Sequence, residues 1–250
     1  MKKKKIYALT GAVISLSILI GSATFAAENS MSDNDSIAWT IKRLKSEEER
    51  DVNIVEKMVD EVNKDVSSQK FSMKVAKRTF SDVAFLGDSI TTYLADDSLL
   101  GGTNVLAKKG EHLPQAKTHL KELEKLKPKV VVILYGANDI GATTPEQFKE
   151  DYISLIKKIK AKNKHVKIYI QAPLPVYEER TIKNDSKLTN ENVRKFSNMA
   201  KQAAKATGAT YLPSGNLIKD KAMYANDGIH LSKPFYNDWL FSLKENIKEV

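Results

Sequence analysis

Short apolar runs alternate with amphipathic stretches over the last two thirds of the chain. The runs at residues 83–86 and 130–135 carry no charge, and the second is rich in β-branched side chains. Both features are typical of parallel strands that are covered on both faces. Shorter or less apolar runs follow the same pattern at 103–107, 166–171 and 209–212. The pattern therefore predicts a sheet of about five strands.

Between these runs, apolar residues recur at steps of three and four, which predicts helices. We expect helices over residues 112–126 and 192–207, with further helices beginning at Pro145 and Pro234. Thr144 is a suitable N-cap for the helix that begins at Pro145, because proline is favoured at the first helical position. Its expected buried face consists of Phe148, Tyr152, Leu155, Ile156 and Ile159. Strands that alternate with helices indicate a three-layer α/β/α sandwich, in which ligands bind beyond the carboxyl ends of the strands.

The first 27 residues have the pattern of a secretory signal peptide. Lys2–Lys5 form a basic start, an apolar stretch runs from Ile6 to Gly21, and small residues extend to Ala27. The apolar stretch is shorter than the ~20 residues that a membrane span needs. We therefore expect cleavage after Ala26 or Ala27 and a secreted protein. The alternative is an uncleaved segment that anchors the protein in a membrane.

Residues 28–79 are expected to form a separate segment ahead of the main domain. Their first part is polar, and valines from Val52 to Val66 then recur at helical spacing along a narrow stripe. This spacing predicts an amphipathic helix packed on the main domain, with a stalk or a short coiled coil as alternatives. Residues 67–79 are expected to be a linker. The α/β domain is expected to span residues 80–250.

Composition and charge narrow the classes of partner. The chain has no cysteine, which excludes disulfides, thiolate metal sites and a cysteine nucleophile. Lys2–Lys5 contribute four of the nine net positive charges, which leaves +5 for the rest of the chain. Lysines dominate and are spread over helix faces, so the pattern favours a solvated surface and not a nucleic-acid interface. Attraction to an anionic cell wall or membrane surface is the remaining alternative.

The sequence also gives no sign of a metal or a cofactor. It lacks H-E-x-x-H, and its histidines and acidic residues do not cluster at the spacing of metal ligands. No phosphate-binding glycine loop is present, and Gly101-Gly102 is better explained as a turn. We expect neither a bound metal nor a cofactor.

The candidate nucleophile is Ser89, which follows the first predicted strand in the string Gly87-Asp88-Ser89. At this position the serine would lie at the carboxyl edge of the sheet, where a helix begins and its backbone N–H can face an oxyanion. Gly87 would permit the tight turn, and Asp88 is expected to accept backbone N–H groups. The alternative for this string alone is an ordinary turn and helix cap.

A serine nucleophile needs a base, and His230 is the best of the four histidines. It lies in a glycine-containing loop, and Asp227 is three residues earlier, so one turn can bring the carboxylate to Nδ1 and leave Nε2 for Ser89. His112 could line the pocket. His119 and His165 are expected to be surface residues.

Asn138 follows the most apolar strand in the string Gly136-Ala137-Asn138-Asp139. A side-chain amide at that edge can donate to a developing oxyanion, and such a donor lowers the barrier by ~3–4 kcal/mol. Asp139 is expected to anchor the loop, and Gly136 to let the backbone turn. The alternative is an asparagine that only caps the loop.

These blocks resemble the GDSL/SGNH hydrolase family, which is named for its Ser, Gly, Asn and His. The matches lie at 87–89, 136–139 and 227–230, and the resemblance covers residues 80–250. It implies a flavodoxin-like fold, a catalytic set of Ser89, Asp227 and His230, and an oxyanion hole formed by Ser89, Gly110 and Asn138. Gly110 is the weakest match and follows the second predicted strand. The first block continues with Ile90, where the family's name has leucine.

The family implies hydrolysis of esters, thioesters or O-acetyl groups, and export implies a substrate outside the cell. No long apolar lid is visible, so a short acyl group on a carbohydrate is the preferred substrate. One alternative is an O-acetyltransferase that uses the same residues to modify a cell-wall glycan. A second is a non-catalytic wall-binding protein on a hydrolase fold, which the intact set of Ser89, Asn138, Asp227 and His230 disfavours.

Overall fold

The structure is a computed structural model that describes residues 73–96, 98–215 and 217–250. The predicted signal peptide and the predicted amphipathic helix lie outside the described residues and stay predictions. Across the described part of the chain, none of the helices combines the length and the apolar character that a membrane crossing requires.

Five parallel strands form one sheet in the order β2-β1-β3-β4-β5. They are β1 (Val83–Gly87), β2 (Val105–Ala107), β3 (Val130–Leu134), β4 (Lys167–Gln171) and β5 (Thr210–Leu212). This order is that of flavodoxin-like folds. Strand β2 lies on one side of β1, and β3 and the later strands are added on the other side. The crevice at this switch point lies beyond the carboxyl end of β1. The predicted fold class is confirmed.

Seven α-helices and four 3₁₀ turns precede, connect or follow the strands in the described residues. The α-helices are α1 (Met73–Thr79), α2 (Ser89–Thr92), α3 (Leu120–Leu126), α4 (Pro145–Lys162), α5 (Glu178–Thr181), α6 (Asn190–Thr207) and α7 (Lys233–Asn246). The 3₁₀ turns are Tyr93–Ala95, Gly102–Asn104, Leu113–His119 and Lys221–Met223.

The strands separate two hydrophobic cores because their side chains alternate between the faces of the sheet. In β1, Ala84 and Leu86 pack into the core that includes residues of α3, α4 and α6. Val83 and Phe85 enter the opposite core, which includes Trp239 of α7. All five residues of β1 and of β3 are buried. Burial of each valine, leucine, isoleucine or phenylalanine side chain in these strands stabilises the fold by about 1.5–3 kcal/mol, so the central strands are held from both sides.

The helix α4 begins as the sequence predicts. Thr144 Oγ1 accepts the backbone N–H of Gln147 at 3.1 Å, and Pro145 occupies the first helical position. All five residues of the predicted apolar face are buried. The helix α6 ends at Thr207 and is capped by Gly208, whose φ of +62° is the left-handed conformation that glycine adopts without strain.

The second strand is shorter than predicted, because the chain enters it through a 3₁₀ turn. Residues 102–104 form this turn, and β2 begins only at Val105. The Asn104 side-chain amide donates to the carbonyl oxygens of Phe80 and Val83 at 2.8 and 2.6 Å. Through these two hydrogen bonds, Asn104 fixes the backbone just before β2. Because both partners lie more than 20 residues earlier in the chain, the local sequence pattern does not reveal them.

Two helical predictions need correction. The helix predicted over 112–126 is a 3₁₀ segment, Leu113–His119, followed by α3. The linker predicted over 67–79 is wrong for Met73–Thr79, which is α1. Helix α1 is held by packing: Ala76 and Phe80 are buried, and the Phe80 ring meets that of Phe85 edge-on at 5.8 Å.

Candidate active site

Ser89 is the first residue of α2 and lies directly beyond the carboxyl end of β1. The turn between the strand and the helix requires glycine at position 87. A Cβ atom there would lie 2.6 Å from the Leu134 carbonyl oxygen and would also overlap the Thr91 side chain. The close packing of β1 on β3 thus fixes where Ser89 emerges.

Asp88 caps the helix that Ser89 begins. Its Oδ1 accepts the backbone N–H of Ile90 at 3.0 Å, as the sequence predicts. The side chain is buried, and burial raises the pKa of Asp88 to about 7, with the nearby charge of Asp139 acting in the same direction. Asp88 is therefore a structural cap and not the partner of a histidine.

A chain of hydrogen bonds joins Ser89, His230 and Asp227. His230 Nε2 lies 2.8 Å from Ser89 Oγ, and His230 Nδ1 lies 2.6 Å from Asp227 Oδ2. The other carboxylate oxygen, Oδ1, accepts the backbone N–H groups of Ile229 and His230, both at 2.9 Å. This arrangement places Nδ1–H on the aspartate and turns Nε2 toward the hydroxyl, which is the geometry that proton abstraction from serine requires.

The carboxylate of Asp227 is kept ionised by these contacts. Partial burial opposes ionisation, but the hydrogen bonds from the His230 side chain and from the two backbone amides outweigh it. The pKa of Asp227 is consequently lowered. An ionised partner can both orient the His230 imidazole and stabilise the imidazolium that forms when His230 takes a proton.

Gly228 allows Asp227 and His230 to approach each other in one tight loop. Its φ is +75°, and a Cβ atom there would lie 2.8 Å from the Tyr177 carbonyl oxygen and 2.9 Å from Arg180 Cβ. The Gly228 carbonyl accepts the Tyr177 N–H at 2.8 Å. The loop that carries the histidine is therefore held against the segment that leads into α5.

The two other predicted oxyanion donors lie in neighbouring loops. Asn138 Nδ2 donates to the Glu111 backbone carbonyl at 3.0 Å, and Gly110 immediately precedes Glu111. A primary amide has two N–H groups, so one remains for a substrate oxygen. Gly110 has φ of +71°, and apart from its chain neighbours no atom lies within 4 Å of the position that a Cβ would occupy.

Asp139 and Gly136 shape the Asn138 loop as expected. Asp139 Oδ1 accepts the Leu113 N–H at 3.0 Å and so ties this loop to the one that follows Gly110. Burial raises the pKa of Asp139 to about 6. Gly136 has φ of +141°, and a Cβ there would lie 2.7 Å from Pro173 Cγ.

The remaining histidines divide into three cases. His112 is partly exposed, with Nδ1 3.8 Å from Asp139 Oδ1, and so lies near the Asn138 loop. His165 is exposed, as predicted. The prediction that His119 is a surface residue is wrong: its side chain is only 19% exposed, and Nε2 lies 2.8 Å from Glu111 Oε2. Sequence reasoning missed Glu111 because a glutamate in a polar loop is usually exposed.

The candidate site is open to solvent. The side chains of His230 and Asp227 remain 45% and 42% exposed. A cavity of about 330 Å³ lies elsewhere, lined by residues such as Leu120, Val131 and Val166. Val131 lies near the start of β3, and Val166 directly precedes β4. This cavity is therefore at the opposite edge of the sheet from Ser89 and plays no part in its chemistry.

Within the described residues, no group of three or more His, Cys, Asp or Glu side chains is placed to hold a metal ion.

The family model described as GDSL-like lipase/acylhydrolase matches residues 85–237, which is more than half of the chain. The matched region contains Ser89, Gly110, Asn138, Asp227 and His230. A comparison with curated protein sequences gave no match.

Solved structures share the fold at low sequence identity. A Streptococcus pneumonia protein described as a platelet activating factor is 20% identical, with a TM-score of 0.55 over 76% of this chain and 98% of its own. A GDSL-like lipase from Bacteroides thetaiotaomicron is 19% identical, with a TM-score of 0.54 over 67% of this chain and 87% of its own. The lipase/acylhydrolase from Enterococcus faecalis is 19% identical, with a TM-score of 0.53 over 67% and 95%. At these identities the similarity shows the fold alone.

Proposed function

The chain belongs to the GDSL-like lipase/acylhydrolase family, and from this premise we propose that it is a serine esterase that removes a short acyl group from a carbohydrate. The acyl group that we favour is O-acetyl. The observation that carries the proposal is the hydrogen-bond chain from Ser89 through His230 to Asp227, with distances of 2.8 and 2.6 Å.

The first half of the reaction forms an acyl-enzyme. Ser89 Oγ attacks the ester carbonyl carbon while His230 Nε2 takes the hydroxyl proton. The carbon–oxygen bond to the sugar then breaks, and His230 returns the proton to the sugar oxygen. The products of this half are a free sugar hydroxyl and a protein esterified at Ser89.

The second half hydrolyses the acyl-enzyme. Water enters the exposed site, His230 Nε2 takes one of its protons, and the resulting hydroxide attacks the acyl carbon. The bond to Ser89 Oγ breaks, and the proton on His230 passes to that oxygen. Asp227 stays ionised in both halves and stabilises the imidazolium each time.

Both halves pass through a tetrahedral intermediate with a negative oxygen. The backbone N–H groups of Ser89 and Gly110 and the side chain of Asn138 are proposed to donate to it. Donors that are already fixed in place stabilise this charge without reorganisation, which is why they contribute more than water would. The bond from Asn138 to the Glu111 carbonyl is an example of such fixing.

A carbohydrate is supported by an exposed aromatic ring close to the serine. Tyr93 lies four residues after Ser89, directly after α2 and at the start of the following 3₁₀ turn, so its backbone is about one helical turn away. It is 40% exposed, and its ring stacks on that of Tyr236 at 4.4 Å with an interplanar angle of 18°. Tyr236 is buried and donates through its hydroxyl to the Ile90 carbonyl at 3.0 Å. The result is a rigid aromatic surface of the kind on which a sugar ring can pack.

A short acyl group is supported by the lack of apolar surface for a long one. Of the large hydrophobic side chains in the described part of the chain, only Tyr93 and Ile182 are exposed. A long acyl chain would need an extended apolar groove near the serine. The leader-like residues 1–27 support the further proposal that the enzyme is exported and meets its substrate outside the cell. The lysine-rich surface would favour association with an anionic wall.

Acetate release from an O-acetylated glycan tests the proposal. The wild type and Ser81→Ala, which changes an exposed serine in a turn, should release acetate at equal rates. Ser89→Ala should release none above background. With p-nitrophenyl esters, turnover should fall as the acyl chain grows from acetyl to octanoyl.

Two outcomes would favour the alternatives. If acetyl groups moved to an added glycan acceptor without free acetate, the protein would be an O-acetyltransferase. If the wild type neither turned over any ester nor reacted with a fluorophosphonate probe, it would be a non-catalytic binding protein.

A further inference from the structure

Glu111 is a buried acidic residue beside the candidate oxyanion hole. It is only 4% exposed, and its Oε2 lies 2.8 Å from His119 Nε2 and accepts the Tyr135 hydroxyl at 3.3 Å. His119 comes from the end of the 3₁₀ segment, and Tyr135 directly follows β3. A buried carboxylate is costly unless it is hydrogen-bonded, so these two donors hold the Glu111 side chain in one place.

The same residue is also bonded through its backbone. The Glu111 carbonyl accepts Asn138 Nδ2 at 3.0 Å. Gly110 is the residue immediately before it, and apart from its chain neighbours no atom lies within 4 Å of the position that a Cβ of Gly110 would occupy. Packing at Gly110 therefore does little to fix the loop. The loop is held by the contacts of Glu111 together with two backbone hydrogen bonds, from the Glu111 N–H to the Lys108 carbonyl and from the Lys108 N–H to the Gly87 carbonyl, both at 3.2 Å.

Tyr135 connects this arrangement to the rigid part of the fold. It is fully buried, and its N–H donates to the Tyr152 hydroxyl of α4 at 3.3 Å. Burial, together with the nearby charge of Glu111, raises the pKa of Tyr135, so its hydroxyl stays protonated and remains a donor.

Resting on the proposed function, we infer that Glu111, held by His119 and Tyr135, is a positioning residue for the oxyanion hole. Its side chain anchors the loop that presents the Gly110 N–H, and its carbonyl fixes the rotamer of Asn138. Glu111 itself does not touch the substrate. A displacement of about 1 Å at a reacting centre can cost as much as 100-fold in rate, so loosening this anchor should affect the transition state most.

The test compares Glu111→Ala with Glu111→Gln on a short acetyl ester. Glu111→Ala should lower kcat by about 10- to 100-fold with KM nearly unchanged, because the donors are misplaced while ground-state binding persists. Glu111→Gln should keep most of the wild-type kcat, because its amide oxygen can accept from both His119 and Tyr135. A purely structural role would not produce this division between kcat and KM.

A matched pair of tyrosine variants provides the control. Tyr135→Phe should lower kcat about 3- to 10-fold and should add little to Glu111→Ala in the double variant, because both changes break one contact network. Tyr169→Phe also removes a tyrosine–glutamate hydrogen bond, to Glu249 at 2.6 Å, but in the opposite core. Its kcat should equal that of the wild type.

Three results would overturn the inference. The first is a folded Glu111→Ala protein with wild-type kcat, and the second is a Glu111→Ala protein in which only KM rises. The third is a Glu111→Gln protein that is as impaired as Glu111→Ala. If Glu111→Ala does not fold, the kcat of Tyr135→Phe is compared with that of Tyr169→Phe. A Tyr135→Phe kcat as high as that of Tyr169→Phe would then overturn the inference. A wild type that cleaves no ester would contradict the proposed function and this inference together. If the wild type cleaves the ester and neither Glu111→Ala nor Tyr135→Phe changes kcat, only this inference is contradicted.

Discussion

Two aspartates near Ser89 have opposite environments and consequently different roles. Asp227 is 42% exposed, and its hydrogen bonds lower its pKa, so it remains charged beside His230. Asp88 is buried, and burial raises its pKa to about 7. Such a division between neighbouring carboxyl groups is a common way in which a protein separates a charged partner from a structural group.

The assignment of the base predicts a hierarchy among four variants. His230→Ala should lower kcat by about 10⁴-fold or more, as much as Ser89→Ala, because the residues act as a unit. Asp227→Asn should cost less, since the carboxylate does not bond to the substrate, and His112→Ala should stay near the wild type. Steady-state hydrolysis of a p-nitrophenyl ester measures all four. A His112→Ala protein without activity, beside an active His230→Ala, would show that the base is wrongly assigned.

Asn138→Ala should lower kcat by about 100- to 1,000-fold with little change in KM, because the amide is proposed to act on the transition state. Steady-state kinetics on the same ester, with a melting curve to confirm folding, measures this. An increase in KM at constant kcat would mean that Asn138 binds the substrate and does not stabilise the oxyanion.

The raised pKa of Asp88 predicts how the stability of the folded protein depends on pH. Its pKa is raised from 3.8 to about 7 in the folded protein, so the folded state retains a proton that the unfolded state has lost between these values. The wild type therefore loses stability from this group as pH rises from 4 to 7. Asp88→Asn, which keeps the cap acceptor but cannot ionise, should become progressively more stable relative to the wild type over this window. Thermal melting at several pH values tests this, and a constant difference in Tm would contradict it.

At the scale of elements, the sequence predicted the parts whose cause is local. The central strands were visible because they are buried on both faces, and α4 because its cap, proline and apolar stripe agree. The start of β2 was missed because Asn104 bonds to Phe80, which lies 24 residues earlier. The helix α1 was missed because Ala76 and Phe80 pack in a core that includes residues of the distant helix α7. The same division holds for the site. The positions of Ser89, Asn138 and His230 follow from strand ends and loop spacing, whereas the contacts of Glu111 exist only in the folded chain.

Thr144 provides a test of this local reasoning. Thr144→Ala removes the acceptor of the Gln147 N–H at the start of α4 and should cost about 1 kcal/mol in the free energy of unfolding. Because the lost hydrogen bond lies within the first turn of α4 and involves none of the proposed catalytic groups, kcat should not change. Urea unfolding and an ester assay on the same preparation measure both. An unchanged unfolding midpoint would show that the cap contributes nothing.

At the scale of the whole molecule, the strand order explains why the chemistry is where it is. Strand β2 lies on one side of β1, and β3, β4 and β5 follow on the other side. The loops after β1, β3 and β5 meet beyond the carboxyl edge of the sheet. Those loops carry Ser89, Asn138 and His230 respectively. The two cores fix the sheet from both sides and leave the reacting groups at its open edge, where the proposed acylated carbohydrate can reach them.

The most direct test of the central claim is the site at which a fluorophosphonate probe attaches, read by mass spectrometry of peptides from the intact enzyme. The account predicts one adduct, on Ser89, that is absent in Ser89→Ala and forms far more slowly in His230→Ala, because the hydroxyl then lacks its base. An adduct on another residue, or ester hydrolysis that persists in Ser89→Ala, would contradict the assignment of Ser89 as the nucleophile.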